Sequence, residues 1–187
     1  KPSPWHAGEK QLQARAGVAE RMEVFGRRVI RDHMPEQHRL FYQQLPFILF
    51  AAVDDHGRPW ASMAEGRPGF VQAPQPQKLQ LNGQLAADDP AAAALREGSA
   101  IGLLGIELHS RRRNRINGHV LTHAAGLLEI GVEHAFGNCP QYIQHRDVQI
   151  NTVDHQVARP EAQRRSGLDD AARTMISQAD TFFVASY

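Results

Sequence analysis

The chain has 187 residues, of which 42% are hydrophobic and 22% charged, values ordinary for a globular protein that exclude extended disorder. Its 21 lysines and arginines nearly balance 20 aspartates and glutamates, and the net charge of +1 does not favour a nucleic acid or a membrane surface as partner. No stretch approaches the roughly 20 apolar residues that span a bilayer, and no signal segment is recognisable. A single cysteine fits a reducing compartment, so we expect a cytoplasmic protein.

Helix-forming patterns occupy the N-terminal part of the chain. Apolar residues recur every three or four positions from Val18 to Ile30, with charged residues between them, which predicts an amphipathic helix. Pro35 interrupts this pattern and suits the first turn of a second helix, from Glu36 to Gln44. Pro46 then separates helix from strand, so we assign residues 1–45 to an N-terminal helical segment.

From Phe47 onward the chain consists of short apolar or alternating runs separated by turn residues, a pattern typical of strands joined by hairpins. The two prolines between Ala73 and Gln77 predict a loop, and the following run from Lys78 alternates like an edge strand. The predicted strands run from Phe47 to Val53, Pro59 to Met63, Phe70 to Val71, Lys78 to Leu81, Ala100 to Leu108, Arg113 to Thr122 and Leu127 to Val132.

Shorter helical segments interrupt and follow these strands. Asp88 or Asp89 can cap a helix from Pro90 to Glu97, which Gly98 ends. A helical turn is predicted from Pro140 to His145, a helix from Asp169 or Asp170 to Ser177, and an apolar strand-like run from Thr181 to Ser186. Few crossovers join the strands, and neither GxGxxG nor GxxxxGK[ST] occurs, so we predict an antiparallel β-barrel with helices rather than a doubly wound sheet.

Four arginines crowd into positions 111 to 115. Alternation along a strand would place Arg111, Arg113 and Arg115 on one face and Arg112 on the other. Guanidinium groups make bidentate contacts to phosphate oxygens, so converging arginines can form a phosphate clamp. A solvated basic strand edge is an equal alternative. A nucleic-acid patch is a third interpretation, disfavoured by the low net charge and the absence of interleaved aromatics.

Other candidates for chemistry are weaker. The histidines are scattered without an HExxH or His-x-His pair, so we predict no metal site. Cys139 is the only cysteine; it has no neighbouring base in sequence, and we expect it to be buried and inert. Asp54 and Asp55 fit a turn better than a carboxylate pair, and no GxSxG occurs, so we assign no catalytic residue.

Three segments together resemble the pyridoxamine 5′-phosphate oxidase-like family of FMN-binding split barrels. Residues 54–62 are similar to its Asp-x-x-Gly-x-Pro hairpin and following strand, residues 89–95 to its Asn-Pro-x-Ala-Ala-Leu helix, and residues 112–120 to its Arg-Gln-x-Arg-x-x-Gly-x-Val strand. A bacterial subgroup of uncharacterised flavin-nucleotide-binding proteins is closer still. It shares the segments at 57–62, 103–109, 111–115 and 136–144.

The resemblance implies a mainly β (α+β) fold, an antiparallel split β-barrel over residues 46–187 preceded by the N-terminal helices. The run at 179–187 either completes this barrel or begins a second barrel half. The resemblance also implies a homodimer with FMN at its interface. The cofactor-binding residues so implied are Trp60, Ala61, Ser62, Met63, Arg67, Arg111, Arg112, Arg113, Arg115, Asn117, Gln141, Tyr142 and Gln144.

These residues divide into groups by the part of FMN that they would contact. Arg67, Arg111 and Arg113 are assigned to the phosphate or ribityl chain, with Arg111 and Arg113 better placed than Arg112. Ser62 and the backbone of residues 60–63 are assigned to the edge of the isoalloxazine ring. Arg115 or Asn117 would bring positive charge or a donor near that ring. Gln141, Tyr142 and Gln144 would reach the partner subunit's flavin.

Departures from the oxidases limit what the resemblance implies. Ser62 stands where they carry an arginine, Arg67 where they carry a lysine, and their C-terminal substrate-binding segment has no counterpart. Vitamin B6 oxidation is therefore not expected. The expected function is that of an FMN-dependent oxidoreductase for an unknown small molecule, with a reductase module or partner as one electron source. A non-catalytic flavin-binding sensor module, and a split barrel for deazaflavin or haem, remain open alternatives.

Overall fold

The computed structural model describes residues 3–83, 85–124, 126–149, 163 and 165–187, and within them five helices and seven strands. In chain order these elements are α1 Ala7–Arg15, α2 Ala19–Val29, α3 Glu36–Gln43, β1 Phe47–Val53, β2 Pro59–Glu65, β3 Val71–Gln75, β4 Lys78–Asn82, α4 Pro90–Ala93, β5 Ala100–Glu107, β6 Arg112–Ala124, β7 Leu127–Gly137 and α5 Asp170–Gln178. No helix in this part of the chain has the length and apolar character needed to cross a bilayer.

The seven strands form one sheet in the order β2-β1-β5-β6-β7-β4-β3, and every neighbouring pair is antiparallel. The predicted α+β class with an antiparallel sheet is therefore confirmed. The long strands β6 and β7 lie at the centre, and their register shifts between Asn117 and Gly118 and again between Val120 and Thr122. Such bulges bend a strand and increase its twist, which helps this sheet to curl around its core.

One face of the sheet encloses the hydrophobic core. Along β1, Ile48, Phe50 and Ala52 are buried, and the residues between them are only half-buried, so the strand has a core face and an outer face. The short helix α4 adds Ala91 and Ala92 to the same core. All seven strands contribute residues to this cluster, which leaves the outer face of the sheet free to build a site.

Helix α3 covers one end of the core with two aromatic side chains. The rings of Phe41 and Tyr42 meet edge to face with their centroids 5.5 Å apart. Both rings pack on Gly105 of β5, where an added Cβ would lie within 2.9 Å of each. Glycine at this position is therefore what allows the helix to approach the sheet so closely.

Tyr42 offers a test of this packing. It is fully buried, its hydroxyl has no hydrogen-bond partner among the described residues, and burial raises the pKa of its phenol far above the ordinary value. An unpaired buried hydroxyl costs free energy, so Tyr42→Phe should leave the free energy of unfolding unchanged or raise it by up to about 1 kcal/mol. Urea denaturation measures this change. Tyr142→Phe, at a tyrosine that is 95% exposed, is the matched control and should have no effect; a clear loss of stability in Tyr42→Phe would contradict the unpaired hydroxyl.

Several predicted boundaries are wrong, each for a physical reason. The run around Pro74 is not a loop but the strand β3, and β4 is not an edge, because β3 pairs with it on one side and β7 on the other. Proline is tolerated in β3 because this strand is the true edge and its register shifts there. Helix α4 is shorter than predicted, ending before Ala94, and β7 runs on to Gly137.

The ends of the chain differ from the sequence-based expectation as well. Helix α1 was not predicted, because it has no buried residue and hence no apolar stripe. The segment from Pro140 to His145 contains a turn, closed by a hydrogen bond from the Ile143 amide to the Pro140 carbonyl, but no helix. The run from Thr181 to Ser186 is not a strand. Helix α5 agrees with its prediction, capped by Asp169.

Candidate functional site

A groove with a volume of ≈ 780 Å³ lies on the outer face of the sheet, over β2, β1, β5 and β6. Its floor follows the strand register: Ala61, Ala51, Gly102 and Asn117 are successive cross-strand neighbours. Small side chains on three of these four positions leave the floor low and flat. Gly102 is not required by the backbone here, since an added Cβ would meet nothing closer than Asn117 Oδ1 at 3.6 Å.

A second row of floor residues runs parallel to the first and carries larger side chains. Met63, Leu49, Leu104 and Arg115 are cross-strand neighbours on the same face. The apolar floor therefore ends at β6 in a polar wall formed by Arg115 and Asn117. No carboxylate among the described residues forms an ion pair with Arg115, so its charge is available to a ligand.

The remaining walls come from the two ends of the described chain. His6 and Glu9, at the start of α1, line the groove, and so do residues 183–187. Phe183 is the most shielded aromatic of the C-terminal run, 41% exposed against 79% for Phe182. The groove is thus bounded by the sheet below, by β6 on its polar side, and by both terminal segments.

The arginine cluster is divided between the two faces of β6. Arg115 lines the groove, and Arg113, two residues earlier, lies on the same outward face of the strand but outside the groove lining. Arg112 lies on the opposite face, its guanidinium carbon 5.0 Å from the centroid of the Phe41 ring. Arg111 precedes the strand in a turn, with a positive φ of 54°, so strand alternation does not extend to it. Strand alternation therefore places only Arg113 and Arg115 of the cluster on the same face.

Arg113 holds the segment that follows β7. Its Nη2 donates to the Cys139 carbonyl oxygen over 2.9 Å, and its own carbonyl oxygen accepts from the Asn138 amide over 2.9 Å. Its Nε is buried without a hydrogen-bond partner among the described residues. A cationic donor left unpaired in this way is costly unless a further acceptor completes it. The Cys139 side chain itself is exposed, so the expectation that it is buried was wrong.

The two aspartates after β1 are structural. Asp54 accepts hydrogen bonds from the Trp60 indole Nε1 at 2.9 Å and from Arg58 Nε at 2.7 Å, and the Trp60 contact is the main reason that its pKa lies far below the ordinary value. Asp55 forms a bidentate ion pair with Arg96 at 2.6 and 2.7 Å, which lowers the pKa of its carboxyl. These contacts confirm the predicted turn role and hold the β1–β2 hairpin that carries part of the floor.

Of the residues predicted from the sequence, the groove brings together five. Ala61, Ser62, Met63, Arg115 and Asn117 line it. The hydroxyl of Ser62 donates to the Asp89 carboxylate, which caps α4, so Ser62 can offer the groove its main chain but not this hydroxyl. The main chain of β2 is suited to such a role because β2 is an edge strand.

The other predicted residues lie outside the lining of the groove. The Trp60 indole donates its hydrogen bond to Asp54, and Arg67 lies in the turn before β3. Arg111, Arg112 and Arg113 are at or before the start of β6. Gln141, Tyr142 and Gln144 are exposed in the segment after β7.

Sequence reasoning missed several lining residues. They are His6, Glu9, Leu49, Ala51, Gly102, Leu104 and residues 183–187. The strand β1 carried a usable signal, because all seven of its residues are apolar and the face turned away from the core is therefore apolar too. The terminal segments carried none, since their approach to the sheet depends on tertiary packing. Within the described residues, no three His, Cys, Asp or Glu side chains are grouped so that they could hold a metal ion.

Comparison with known proteins finds similarity at the level of solved structures only. No family model and no curated protein matches the chain. A candidate pyridoxamine 5′-phosphate oxidase of Lactobacillus delbrueckii is similar over 57% of this chain and 95% of its own, with 15% identity and a TM-score of 0.44. The HupZ protein of Group A Streptococcus is similar over 61% and 99%, with 13% identity and a TM-score of 0.43.

A third structure covers more of the chain. The FAD and haem binding protein of Mycobacterium smegmatis is similar over 78% of this chain and 97% of its own, with 13% identity and a TM-score of 0.34. With TM-scores below 0.5, these likenesses carry nothing about the ligand of this chain. The chain is an α+β protein built on a seven-stranded antiparallel sheet, and the structures similar to it include a candidate member of the family that its sequence motifs resemble.

Proposed function

We propose that the groove binds FMN and that the chain is an FMN-dependent oxidoreductase, transferring hydride or electrons to or from a small molecule. The observation that carries this proposal is the combination of a flat apolar floor with a line of outward arginines leading away from it. A planar ring with an anionic tail has this same division between an apolar and a charged end. Neither part alone would distinguish a flavin from other ligands.

The floor suits a flat aromatic ring. The groove above it has a volume of ≈ 780 Å³, within the range of roughly 300–1,000 Å³ of small-molecule sites. Ala51, Ala61 and Gly102 rise little above the sheet, so a ring system can approach the strands closely. Arg115 and Asn117 stand at the side of this floor, where they can donate to the polar rim of a ring.

The start of β6 suits a phosphate. Arg113 lies two residues from Arg115 on the same face, about 7 Å along the strand. Its buried Nε lacks an acceptor among the described residues, which a phosphate oxygen would supply. Arg111, in the turn beyond, adds a second guanidinium at the same end. These two arginines are our candidates for the phosphate, and Arg115 is our candidate for the ring.

Flavin, when bound, supplies the hydride or electron transfer itself. The chain then has to bind it, orient it and limit its contact with water. The apolar floor and residues 183–187 can exclude water from two sides, and Arg115 and Asn117 can fix the orientation. This division of work agrees with the lack of an evident acid–base pair in the sequence. A reductase module or partner as electron source is part of the proposal.

We also propose that the protein acts as a cytoplasmic homodimer with the groove at its interface. Support comes from the edge strand β2, which borders the groove and exposes Met63 at its outer face. A second subunit placed there would cover the open side of the groove. Light scattering of the purified chain at several concentrations, with and without FMN, tests this; a strict monomer in both conditions would refute it.

The absorption spectrum of the purified protein tests the cofactor first. The expected result is a yellow protein that releases FMN on denaturation and, once stripped, binds added FMN with quenching of its fluorescence. A haem spectrum, or release of a deazaflavin instead, would refute FMN. Mixing the loaded protein rapidly with NAD(P)H, followed by a screen of electron acceptors, separates an oxidoreductase from a flavin-binding module without turnover.

A change in the floor tests the location of the ring. Gly102→Leu should weaken FMN binding by about tenfold or more, because the new side chain occupies the floor while the backbone tolerates a Cβ there. Fluorescence titration of the stripped protein measures the Kd. The matched control is Gly167→Leu, where an added Cβ meets nothing within 4 Å and the residue does not line the groove. Equal affinities of the two variants would place the ring elsewhere.

A further inference from the structure

His6 lines the groove on the side formed by α1, and the proposed function leaves it without a role. It is the N-cap of α1, and it takes part in a capping box with Glu9. The Glu9 carboxylate accepts from the His6 amide at 3.0 Å. The imidazole in turn accepts through Nδ1 from the amides of Gly8 at 3.1 Å and Glu9 at 3.3 Å.

This capping determines which ring nitrogen carries the proton. A nitrogen that accepts from backbone N–H groups must present a lone pair, so Nδ1 is unprotonated. In the neutral imidazole the proton then resides on Nε2, which is a donor. The nearest carboxylate oxygen, Glu9 Oε2, is 3.6 Å from Nε2, too far for a hydrogen bond. Within the described residues Nε2–H therefore has no acceptor, and the side chain is 75% exposed towards the groove and solvent.

The position of His6 is held from the other side by Trp5. The Trp5 indole Nε1 donates to the Met22 carbonyl oxygen at 3.0 Å, and its ring packs on Gly26 of α2 so closely that an added Cβ would lie 2.6 Å from it. Ser3 adds a hydrogen bond to Glu23 at 2.7 Å. The residues before α1 are thus attached to α2, and hydrogen bonds hold His6 at both its backbone amide and its ring.

We infer that His6 is a binding residue of the groove, whose neutral Nε2–H donates to an acceptor atom on the flavin ring, a carbonyl oxygen or an unprotonated ring nitrogen. This inference rests on the proposed function. It assigns the start of α1 a role beyond its packing on α2: there a side chain presents one hydrogen-bond donor to the groove whose polar wall includes Arg115. A neutral donor recognises the ring without adding charge, whereas an arginine would also attract any anion.

The test compares His6→Ser with the wild type, using FMN and riboflavin as probes. Serine keeps a capping oxygen for α1 but does not reach the groove. Loss of one hydrogen bond should weaken the binding of both probes by about five- to tenfold, and by the same factor, because both carry the same ring. The absorption maximum of bound flavin should shift in the variant. His33→Ser, a histidine outside the groove lining, is the matched control and should bind like the wild type.

The outcomes separate this inference from the proposed function. If the wild type binds FMN, and His6→Ser binds each probe as tightly as the wild type does and with an unchanged flavin spectrum, the inference is overturned and the proposed function stands. If His6→Ser loses affinity for FMN alone, His6 contacts the phosphate and the inference is again overturned. If the wild type binds neither probe, the proposed function and the inference fail together. Thermal unfolding followed by circular dichroism confirms that each variant is folded.

Discussion

Replacing Gly118 by alanine should destabilise the folded chain by about 3 kcal/mol or more, the largest effect that we expect of any single methyl group in this protein. A Cβ at this position would overlap the carbonyl oxygen of Gly131 on β7. Both residues belong to the two central strands, and each strand is paired on both sides, so neither backbone can move away without breaking its ladder.

Urea denaturation of Gly118→Ala measures this loss, and the adjacent strand provides a matched control. Gly102 lies on β5 opposite Asn117, the residue before Gly118, and a Cβ there meets only ordinary contacts at 3.6 and 3.9 Å. Gly102→Ala should change the free energy of unfolding by less than about 1 kcal/mol. If the two variants unfold alike, the close approach of β6 and β7 at the bulge is not as the structure has it. If Gly118→Ala does not fold at all, its loss exceeds the expected minimum.

Replacing both Arg111 and Arg113 by alanine should weaken FMN binding by about a hundredfold and leave riboflavin binding nearly unchanged. Charge-assisted hydrogen bonds contribute about 1.5–3 kcal/mol each, and riboflavin lacks the phosphate that would receive them. Arg115→Ala should behave differently and weaken both ligands, because Arg115 lies in the groove beside the proposed ring. Fluorescence titration of stripped protein with each ligand gives the two affinities.

Arg112→Ala is the matched control for both variants. It removes an arginine from the same strand but from the opposite face, where the guanidinium packs over Phe41. Its expected cost is in stability, about 0.5–1 kcal/mol, with little change in flavin affinity. Retention of FMN by the Arg111/Arg113 double variant would refute the phosphate assignment. A loss of affinity in Arg112→Ala equal to that in the double variant would point instead to a general effect of positive charge.

The predictable part of the fold lies where local pattern and tertiary structure agree. A short apolar run that stops at turn residues located the strand Phe47–Val53, because both signals act over a few neighbouring positions. Helix Asp170–Gln178 was predicted from a capping aspartate, a purely local interaction. Local signals failed where the position of a strand in the sheet determines which residues it tolerates. Pro74 is acceptable in β3 because β3 is an edge strand, and the order of the strands is not visible in the local sequence.

The candidate site divides in the same way. Arg115 and Asn117 were predicted as cofactor-binding residues, and both line the groove, because alternation along one strand determines which side chains share a face. Arg111 shows the limit of that reasoning, since the strand begins one residue after it and its own backbone is left-handed. Nothing in the local sequence could place His6 or Phe183 beside the sheet.

By itself the sequence determined the antiparallel α+β class, most of the strands and the arginine-rich strand with its outward face. These properties depend on periodicity and turn residues, which act over a few positions. Tertiary structure alone decided which face of the sheet carries a groove, and it packs Arg112 over Phe41 on the face opposite Arg113. It also decided that segments from both ends of the described chain line the groove over β1 and β5. Such contacts join residues far apart in the chain, and their formation depends on the packing of the whole fold rather than on any local pattern.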